Sequence, residues 1–314
     1  MLCANWGLAV ANDLARRFLE VAPGLNLPVP GRGETGHRLR ALYGIAFEDL
    51  ELAKLVEADA DARAIAAELD YLLPSGTFGV WASDGPASRL SAVRDGDAWA
   101  LSGQKQYCTG AGMVSHALVT AHGSEGPLLL CVETGTLGAR ADFSAWQTPV
   151  FEATRTATVT FDETVALRAV VGRPNEYLDR PGFWGGALSV AACWAGGAAG
   201  LAHEFIQRWP RQDAHSLAHE GALRAIAWEL PVILDAAGAQ FDRNPGDGER
   251  LAGIVRHRIE QLASEVIQRV LRAGGPGPLT HDARLGERLY GLQLFIRQHH
   301  AERDLEALGR SFRE

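Results

Sequence analysis

The feature that most restricts the fold of this chain is the period of its apolar residues, which changes from helical to alternating and back. Residues 1–73 are typical of helices, because apolar residues recur every three or four positions on either side of a Pro- and Gly-rich break. Residues 74–175 are short β-branched or alternating segments separated by turn signals. The helical period returns in residues 176–314. We therefore predict an α+β fold of N-terminal helices, a central antiparallel β-barrel-like domain and a C-terminal up-and-down four-helix bundle.

Four long helices are predicted in the last segment. The first contains FWGGALSVAACWAGGAAGLA, which begins at Phe183, and it continues to about Trp209. The others are predicted over Ala218–Phe241, Asp247–Ala273 and Ala283–Gly309, between breaks rich in Gly and Pro. The first segment is uncharged and long enough to span a membrane. Its many Gly and Ala residues allow close helix packing, so we expect a buried central helix and no membrane association.

Composition narrows the class of protein. With 314 residues, 47% of them hydrophobic, the chain can bury a large core. The formal net charge of −8 and the absence of a long basic cluster argue against a nucleic-acid partner. The four cysteines form no Cys-x-x-Cys motif, and the N-terminus lacks the basic and apolar regions of a signal peptide. We therefore expect a cytoplasmic protein with reduced thiols.

Several common catalytic motifs are absent from the sequence. No Gly-x-Gly-x-x-Gly follows a predicted strand, and there is no P-loop, Gly-x-Ser-x-Gly or His-Glu-x-x-His motif. The paired Glu-x-x-His motifs of a di-iron bundle are also missing. His215 and His219 have helical spacing but no carboxylate partner, which is more typical of a solvated helix face. No metal site is predicted.

The segment LSGQKQYCTGA, residues 101–111, is either a plain β-hairpin or the edge of a cofactor site. An aromatic residue, a hydroxyl and small residues in succession suit a planar ring that the backbone approaches closely. Together with GTFGVWAS, GAAGLA and RAGGPGPL, the segment resembles the acyl-CoA dehydrogenase family over about Asp49 to Gly309. In that family the aromatic side chain packs on the flavin ring and the threonine hydroxyl faces the flavin N5. The resemblance thus assigns these roles to Tyr107 and Thr109, with Cys108 between them.

The same resemblance implies further contacts with FAD. It places Val80, Trp81 and Ser83 beside the flavin pyrimidine edge. Thr154 and Thr156, in a returning strand, are either site residues or ordinary half-buried strand threonines.

The flavin diphosphate is expected to lie against residues of a neighbouring subunit, so the resemblance implies a homodimer or a homotetramer. Its predicted contacts are Arg211, Gly274, Gly275 and Gly277, because backbone amides and a guanidinium favour an anion.

The expected catalytic base is displaced from the family pattern. The family uses a glutamate to remove a proton while a hydride passes to flavin N5. Counting from Gly274 places this position near Gln298, and the alternative family position falls near Val190, but neither side chain can accept the proton. His299 is the candidate base, since a histidine titrates near neutral pH. The segment from Arg297 is otherwise a charged, partly solvated helix start.

Three functions follow from these patterns. The first is an FAD-dependent oxidoreductase that oxidises an acyl thioester, possibly an acyl-CoA, or a related small molecule. The second is a flavin-dependent monooxygenase on the same fold, where a histidine also lies near the base position. The third is a flavin-free, non-catalytic binding or assembly subunit, because the family's Glu, Phe and Gln are replaced.

Overall fold

A computed structural model describes residues 13–83, 85, 89–135, 140–210 and 212–313. Arg211, which the sequence assigns to the cofactor diphosphate, lies outside the described residues. The chain divides into two compact units. We call the first, Met1–Asn26 with Leu55–Phe183, the β unit, and the second, Leu27–Lys54 with Trp184–Glu314, the helical unit. The N-terminal helical region therefore contributes to both.

The β unit contains one eight-stranded sheet in the order β6-β7-β3-β2-β4-β5-β8, with β1 paired to β4. β1 and β2 pair with β4 in parallel and the other pairs are antiparallel. The sheet is therefore mixed, and in the described chain its path does not close, which corrects the prediction of an antiparallel barrel. Alternating apolar residues are compatible with either pairing direction, so the sequence did not distinguish them. The strands are β1 Phe78–Trp81, β2 Leu90–Asp95, β3 Ala98–Cys108, β4 His116–Gly123, β5 Gly126–Glu133, β6 Arg140–Asp142, β7 Ala157–Ala166 and β8 Val170–Val171.

Helices cover one part of this sheet. Helix α1 includes residues 13–21 and helix α4 spans Glu176–Asp179. Helix α3, Leu50–Glu68, passes from the helical unit into the β unit, where Ala62 and Ile65 pack in a cluster with Phe78 and strand residues of β4, β5 and β8. Asp59 of α3 accepts the Phe78 backbone N–H at 2.7 Å, which fixes the helix against the start of β1.

The remaining helices belong to the helical unit. They are α2 Thr35–Glu48, α5 Phe183–Arg208, α6 Ala214–Arg243, α7 Gly248–Gly274, α8 Pro276–His281, α9 Ala283–Phe295 and α10 Glu302–Ser311, with α5 beginning at the boundary residue Phe183. Helix α6 packs against α2 and α7, and α10 packs against α7. Helix α6 begins at Ala214, four residues before its predicted start, because the Asp213 carboxylate accepts the backbone N–H groups of His215 and Ser216.

The predicted helix Ala283–Gly309 is not continuous. It ends at Phe295, and a single 3-10 turn follows over Ile296–Gln298. His299 has an extended ψ of 120° and Ala301 has a φ of 50°, so the chain turns before α10 begins. No Gly or Pro marks the break. The Asp304 carboxylate accepts the His300 backbone N–H at 3.0 Å and stabilises the turn.

Helix α5 is the one described helix with the length and apolar composition of a membrane span, but 89% of its apolar window is buried inside the structure. A Cβ atom on Gly196 would overlap the carbonyl oxygen of Tyr43, and one on Gly200 would overlap that of Phe47. Glycines four residues apart thus let the backbone of α2 approach α5 closely. This packing is the central-helix role that the sequence predicts for α5.

Candidate active site

An irregularity in strand β3 places the side chain of Tyr107 outside the sheet. Lys105 pairs with Val159 and Cys108 with Ala157, so three steps along β3 face two along β7. The extra residue forms a β-bulge, which changes the direction of the side chains that follow it. Tyr107 adopts a φ of 58° and remains 62% exposed, whereas Cys108 is fully buried. A large aromatic ring is therefore open to solvent at the end of a rigid strand.

Three threonine hydroxyls lie next to this bulge. Thr109 Oγ1 is 3.1 Å from Thr156 Oγ1, which is 3.3 Å from Thr154 Oγ1. The Thr154 hydroxyl donates to the carbonyl oxygen of Phe151 at 2.8 Å. In the two contacts between threonines either hydroxyl can be the donor, so the Thr109 hydroxyl can donate a hydrogen bond to a further neighbour or accept one from it.

The backbone around these hydroxyls is both strained and firmly bonded. Phe151 and Arg155 adopt φ values of 58° and 48°, the left-handed region that Tyr107 also occupies. Each such residue costs about 1–3 kcal/mol, and the conformation persists only where its surroundings fix it. Here the N–H groups of Gly110 and Ala111 donate to the carbonyl oxygens of Thr154 and Arg155 at 2.9 and 3.1 Å. Strained backbone of this kind clusters at functional sites.

The Arg155 side chain closes one side of this segment. Its guanidinium lies 4.1 Å from the centroid of the Phe143 ring, and its Nε donates to the carbonyl oxygen of Ala111 at 3.3 Å. Both contacts reduce the freedom of the chain after the threonine cluster.

Trp81 supports the site from below and does not present its ring to solvent. The indole is buried, with Nε1 donating to the carbonyl oxygen of Thr109 at 3.0 Å and the ring edge-on to Phe161. A Cβ on Gly79 would come within 2.9 Å of Trp81 Nε1, so a glycine is needed beside this bond. A direct contact of the Trp81 side chain with a cofactor is not possible in this conformation.

The other predicted β-unit residues divide between surface and core. Ser83 is exposed, and Val80 is half-buried and packs against the α3 cluster. The Cys108 thiol is buried and lies 3.3 Å from the Lys105 carbonyl oxygen. Burial raises the pKa of Cys108 to about 12. Its side chain therefore belongs to the core, and only its backbone borders the threonine cluster.

In the helical unit, the predicted diphosphate loop is a helix–turn–helix. Gly274 is the last residue of α7, and a Cβ there would meet the ring of Pro278 at 2.8 Å. Gly275 forms the turn with a φ of 62° and has open space around its missing Cβ, while Gly277 lies within the short helix α8. Close packing against Pro278 therefore requires a glycine at position 274, and the positive φ favours a glycine at position 275. The Gly275 N–H donates to the Leu271 carbonyl oxygen at 3.0 Å, so this amide closes the end of α7.

His299 and Gln298 follow α9, and the break after α9 separates their environments. Gln298 is exposed, and its carbonyl oxygen accepts from Arg256 at 2.9 Å. His299 is only 4% exposed, and its Nδ1 accepts the Ala301 backbone N–H at 3.2 Å. Burial lowers the pKa of His299, against the opposing effect of the Asp304 and Glu260 carboxylates. The lone pair of the neutral ring lies on Nδ1 and accepts the Ala301 N–H, so His299 would accept a proton, as the predicted base must, after that bond is released.

Two neighbours of His299 carry chemistry that the sequence did not reveal. His257 of α7 stacks beside it, with ring centroids 5.5 Å apart, and Glu260 lies one helical turn further along. Their His-x-x-Glu spacing was available as a signal, because residues three apart share one helix face. The approach of His299 to these two residues could not be predicted from the sequence, since it depends on the break after α9, which no Gly or Pro marks.

The β-unit cluster fits a flat conjugated ring with polar edges. Tyr107 offers an exposed aromatic face, and the half-buried Thr109 offers a hydroxyl group beside it. No cation or phosphate is needed to explain these two features.

Comparison with solved structures shows which fold this is. The dibenzothiophene monooxygenase TdsC from Paenibacillus sp. A11-2, in complex with FMN and indole, is similar with a TM-score of 0.75 and 15% identity, over 98% of this chain and 96% of that chain. The methanesulfinate monooxygenase MsuC from Pseudomonas fluorescens gives a TM-score of 0.74, 17% identity and coverage of 96% and 95%. Butyryl-CoA dehydrogenase from Megasphaera elsdenii is similar with a TM-score of 0.70 and 15% identity, over 99% of this chain and 98% of that chain.

The chain therefore has the acyl-CoA dehydrogenase-like fold, and the resemblance predicted from the sequence is confirmed at the level of fold. No protein-family model matches the sequence, and no curated protein matches it either. The fold is shared by dehydrogenases and monooxygenases, so the reaction has to be argued from the site.

Proposed function

We propose that the protein is a flavin-dependent oxidoreductase that acts on a small molecule. The observation that carries the proposal is the Thr109–Thr156–Thr154 hydroxyl chain beside the exposed, strained Tyr107. The sequence resemblance assigns Tyr107 and Thr109 to the flavin ring, and Thr156 lies within hydrogen-bond distance of Thr109. A similar fold with FMN bound, that of TdsC, supports the same class of cofactor.

A bound flavin would supply the redox chemistry, and the residues of this chain would hold and orient it. Tyr107 would cover one face of the ring and exclude water from it. The Thr109 hydroxyl would lie beside flavin N5, where it could donate to N5 of the oxidised ring and accept from the N5–H of the reduced ring. FAD is the proposed form, with the diphosphate against Gly275 and Arg211 of a neighbouring subunit. Extraction and chromatography of the bound flavin distinguish FAD from FMN.

His299 is the proposed base of an acyl thioester dehydrogenation, because it holds a neutral imidazole in a buried position. Replacing His299 with Ala should abolish turnover and leave flavin binding intact. Retained turnover would exclude the role.

Oxygen transfer is the second candidate reaction. It is favoured by Gln298, which occupies the counted position of the dehydrogenase glutamate and cannot accept a proton. Product analysis under labelled oxygen distinguishes the two, because only a monooxygenase incorporates an oxygen atom into the product.

The test of the flavin site is a binding titration with hydroxyl variants. Thr109→Val and Thr156→Val should each weaken flavin binding roughly tenfold, about 1.4 kcal/mol, because each removes one link of the hydroxyl chain. The matched control is Thr164→Val, which changes an exposed threonine of β7 and should leave the affinity unchanged. If all three variants bind flavin with the same affinity as the wild type, the proposed site is contradicted.

A further inference from the structure

A second candidate site lies in the helical unit, and it stands whether or not the chain binds flavin. His257, Glu260 and His299 each offer a ligand atom, and these atoms all lie within 4.8 Å of one another. We propose that this cluster binds one divalent transition-metal ion of the zinc class. Two imidazoles and one carboxylate are a ligand set that zinc takes in proteins, with the fourth position left to water.

The elements of the helical unit hold two of the ligands in register. His257 and Glu260 are three residues apart on α7, so both project from one face of a rigid helix. His299 reaches the same face because the 3-10 turn after α9 returns the chain there. Zinc–nitrogen bonds of about 2.1 Å imply ligand atoms roughly 3.4 Å apart, so side-chain rotation has to bring the atoms up to about 1.4 Å closer than their present separation of at most 4.8 Å.

The polar atoms of the cluster leave positions for a cation. His257 Nδ1 is buried and has no hydrogen-bond partner, which is unusual for a buried nitrogen. Glu260 accepts from Ser264 and from Arg297, and both bonds go to Oε1, so Oε2 is the oxygen available to a metal. The Ser264 bond of 2.9 Å also orients the carboxylate, as outer-shell partners of metal ligands do.

Charged groups of both signs lie near His299. The Asp304 and Glu260 carboxylates favour a positive charge there, and Arg256 and His257 oppose it. Arg256 is held by the Trp194 ring, 4.5 Å from its guanidinium, and by the Gln298 carbonyl oxygen. The Arg297 side chain is 50% exposed, so it can move into solvent when a cation binds.

Coordination has one consequence for His299. Its Nδ1 accepts a 3.2 Å bond from Ala301, so a metal either replaces that bond or binds after the ring turns over. In either case the metal uses the imidazole lone pair that a base would need. The metal-bound form and the base form of His299 are therefore alternatives.

The test is an isothermal titration of the full chain with ZnCl2 after treatment with a chelator. We expect about one equivalent of Zn2+ bound, and at least a tenfold weaker affinity in His257→Ala and in Glu260→Gln. The matched control is His215→Ala on α6, which removes an exposed histidine and should bind like the wild type.

Two results would overturn the proposal: no Zn2+ binding by the wild type, or binding that survives both cluster variants. Loss of binding in the His215→Ala variant would also overturn it. Glu260→Gln preserves the size of the side chain, and circular dichroism checks that each variant is folded. A rise in melting temperature with Zn2+ in the wild type, absent from folded Glu260→Gln, gives a second measure.

Discussion

Tyr107, Phe151 and Arg155 are bulky residues that adopt a backbone conformation usually left to glycine. Together they cost several kcal/mol, at about 1–3 kcal/mol each. All three lie beside the threonine hydroxyl chain. The Arg155 carbonyl oxygen accepts the Ala111 N–H of the other segment, and the Tyr107 and Phe151 carbonyl oxygens accept from Thr109 and Thr154 within their own segments. The strain has a local structural result, because it turns one aromatic ring outward and brings three hydroxyls together.

Cys108 provides a prediction at the scale of one residue. Its thiol is buried and its pKa is raised to about 12, so the reactive thiolate does not form between pH 7 and 9. We expect iodoacetamide to label Cys108 at less than about a tenth of the rate of an exposed thiol, as measured by peptide mass spectrometry. The control is Ser102→Cys, which introduces a thiol at an exposed position of the same strand.

The pH dependence of Cys108 has a definite sign. The folded pKa lies above the unfolded one, so the folded chain holds the proton more strongly. The contribution of the protonated Cys108 thiol to the free energy of unfolding is therefore complete below the ordinary thiol pKa, and it is lost as the pH rises toward 12. Rapid labelling of the native protein at pH 8 would contradict the buried position of this thiol.

Residue-level prediction succeeded where a motif is local. Tyr107 and Thr109 were identified from one eleven-residue segment, and the structure places them at the same bulge. Thr154 and Thr156 could not be distinguished from ordinary strand threonines, because their partner Thr109 lies far away in the sequence. The side-chain direction of Trp81 was likewise set by a tertiary hydrogen bond.

At the scale of elements, the close packing of α2 on α5 depends on glycine. Gly196→Ala would force a methyl group onto the Tyr43 carbonyl oxygen, which is backbone and cannot move alone. We expect the free energy of unfolding to fall by about 1–3 kcal/mol. Urea denaturation measures the change.

The matched control for this helix packing is Gly221→Ala on α6. No atom lies within 4 Å of its missing Cβ, so alanine should raise the free energy of unfolding, by up to about 1 kcal/mol. Equal stability of Gly196→Ala and the wild type would contradict the close approach of α2 to α5.

Element prediction failed where no residue type marks the change. The period of α5 was strong enough to identify it, and a capping aspartate explains the earlier start of α6. The break between α9 and α10 has neither Gly nor Pro, and it forms through a bond between Asp304 and the His300 backbone. Only the folded chain shows that this break carries His299 to the His257 and Glu260 face of α7.

At the scale of the whole molecule, the fold was predictable because its helix–strand–helix order is unusual. The pairing direction of the strands and the closure of the sheet could not be predicted, since the alternation of apolar residues is the same in a parallel and an antiparallel strand. The same fold occurs in butyryl-CoA dehydrogenase and in two monooxygenases. The fold thus restricts the function to a class, and the site residues have to define the reaction.

The central claim is that the Tyr107 and Thr109 cluster holds a flavin. The most direct measurement is the visible absorption of the purified protein, before and after incubation with FAD and with FMN. The account predicts the yellow absorption of a flavin that stays with the protein through gel filtration at about one flavin per chain. A folded, colourless protein that retains neither FAD nor FMN would contradict it.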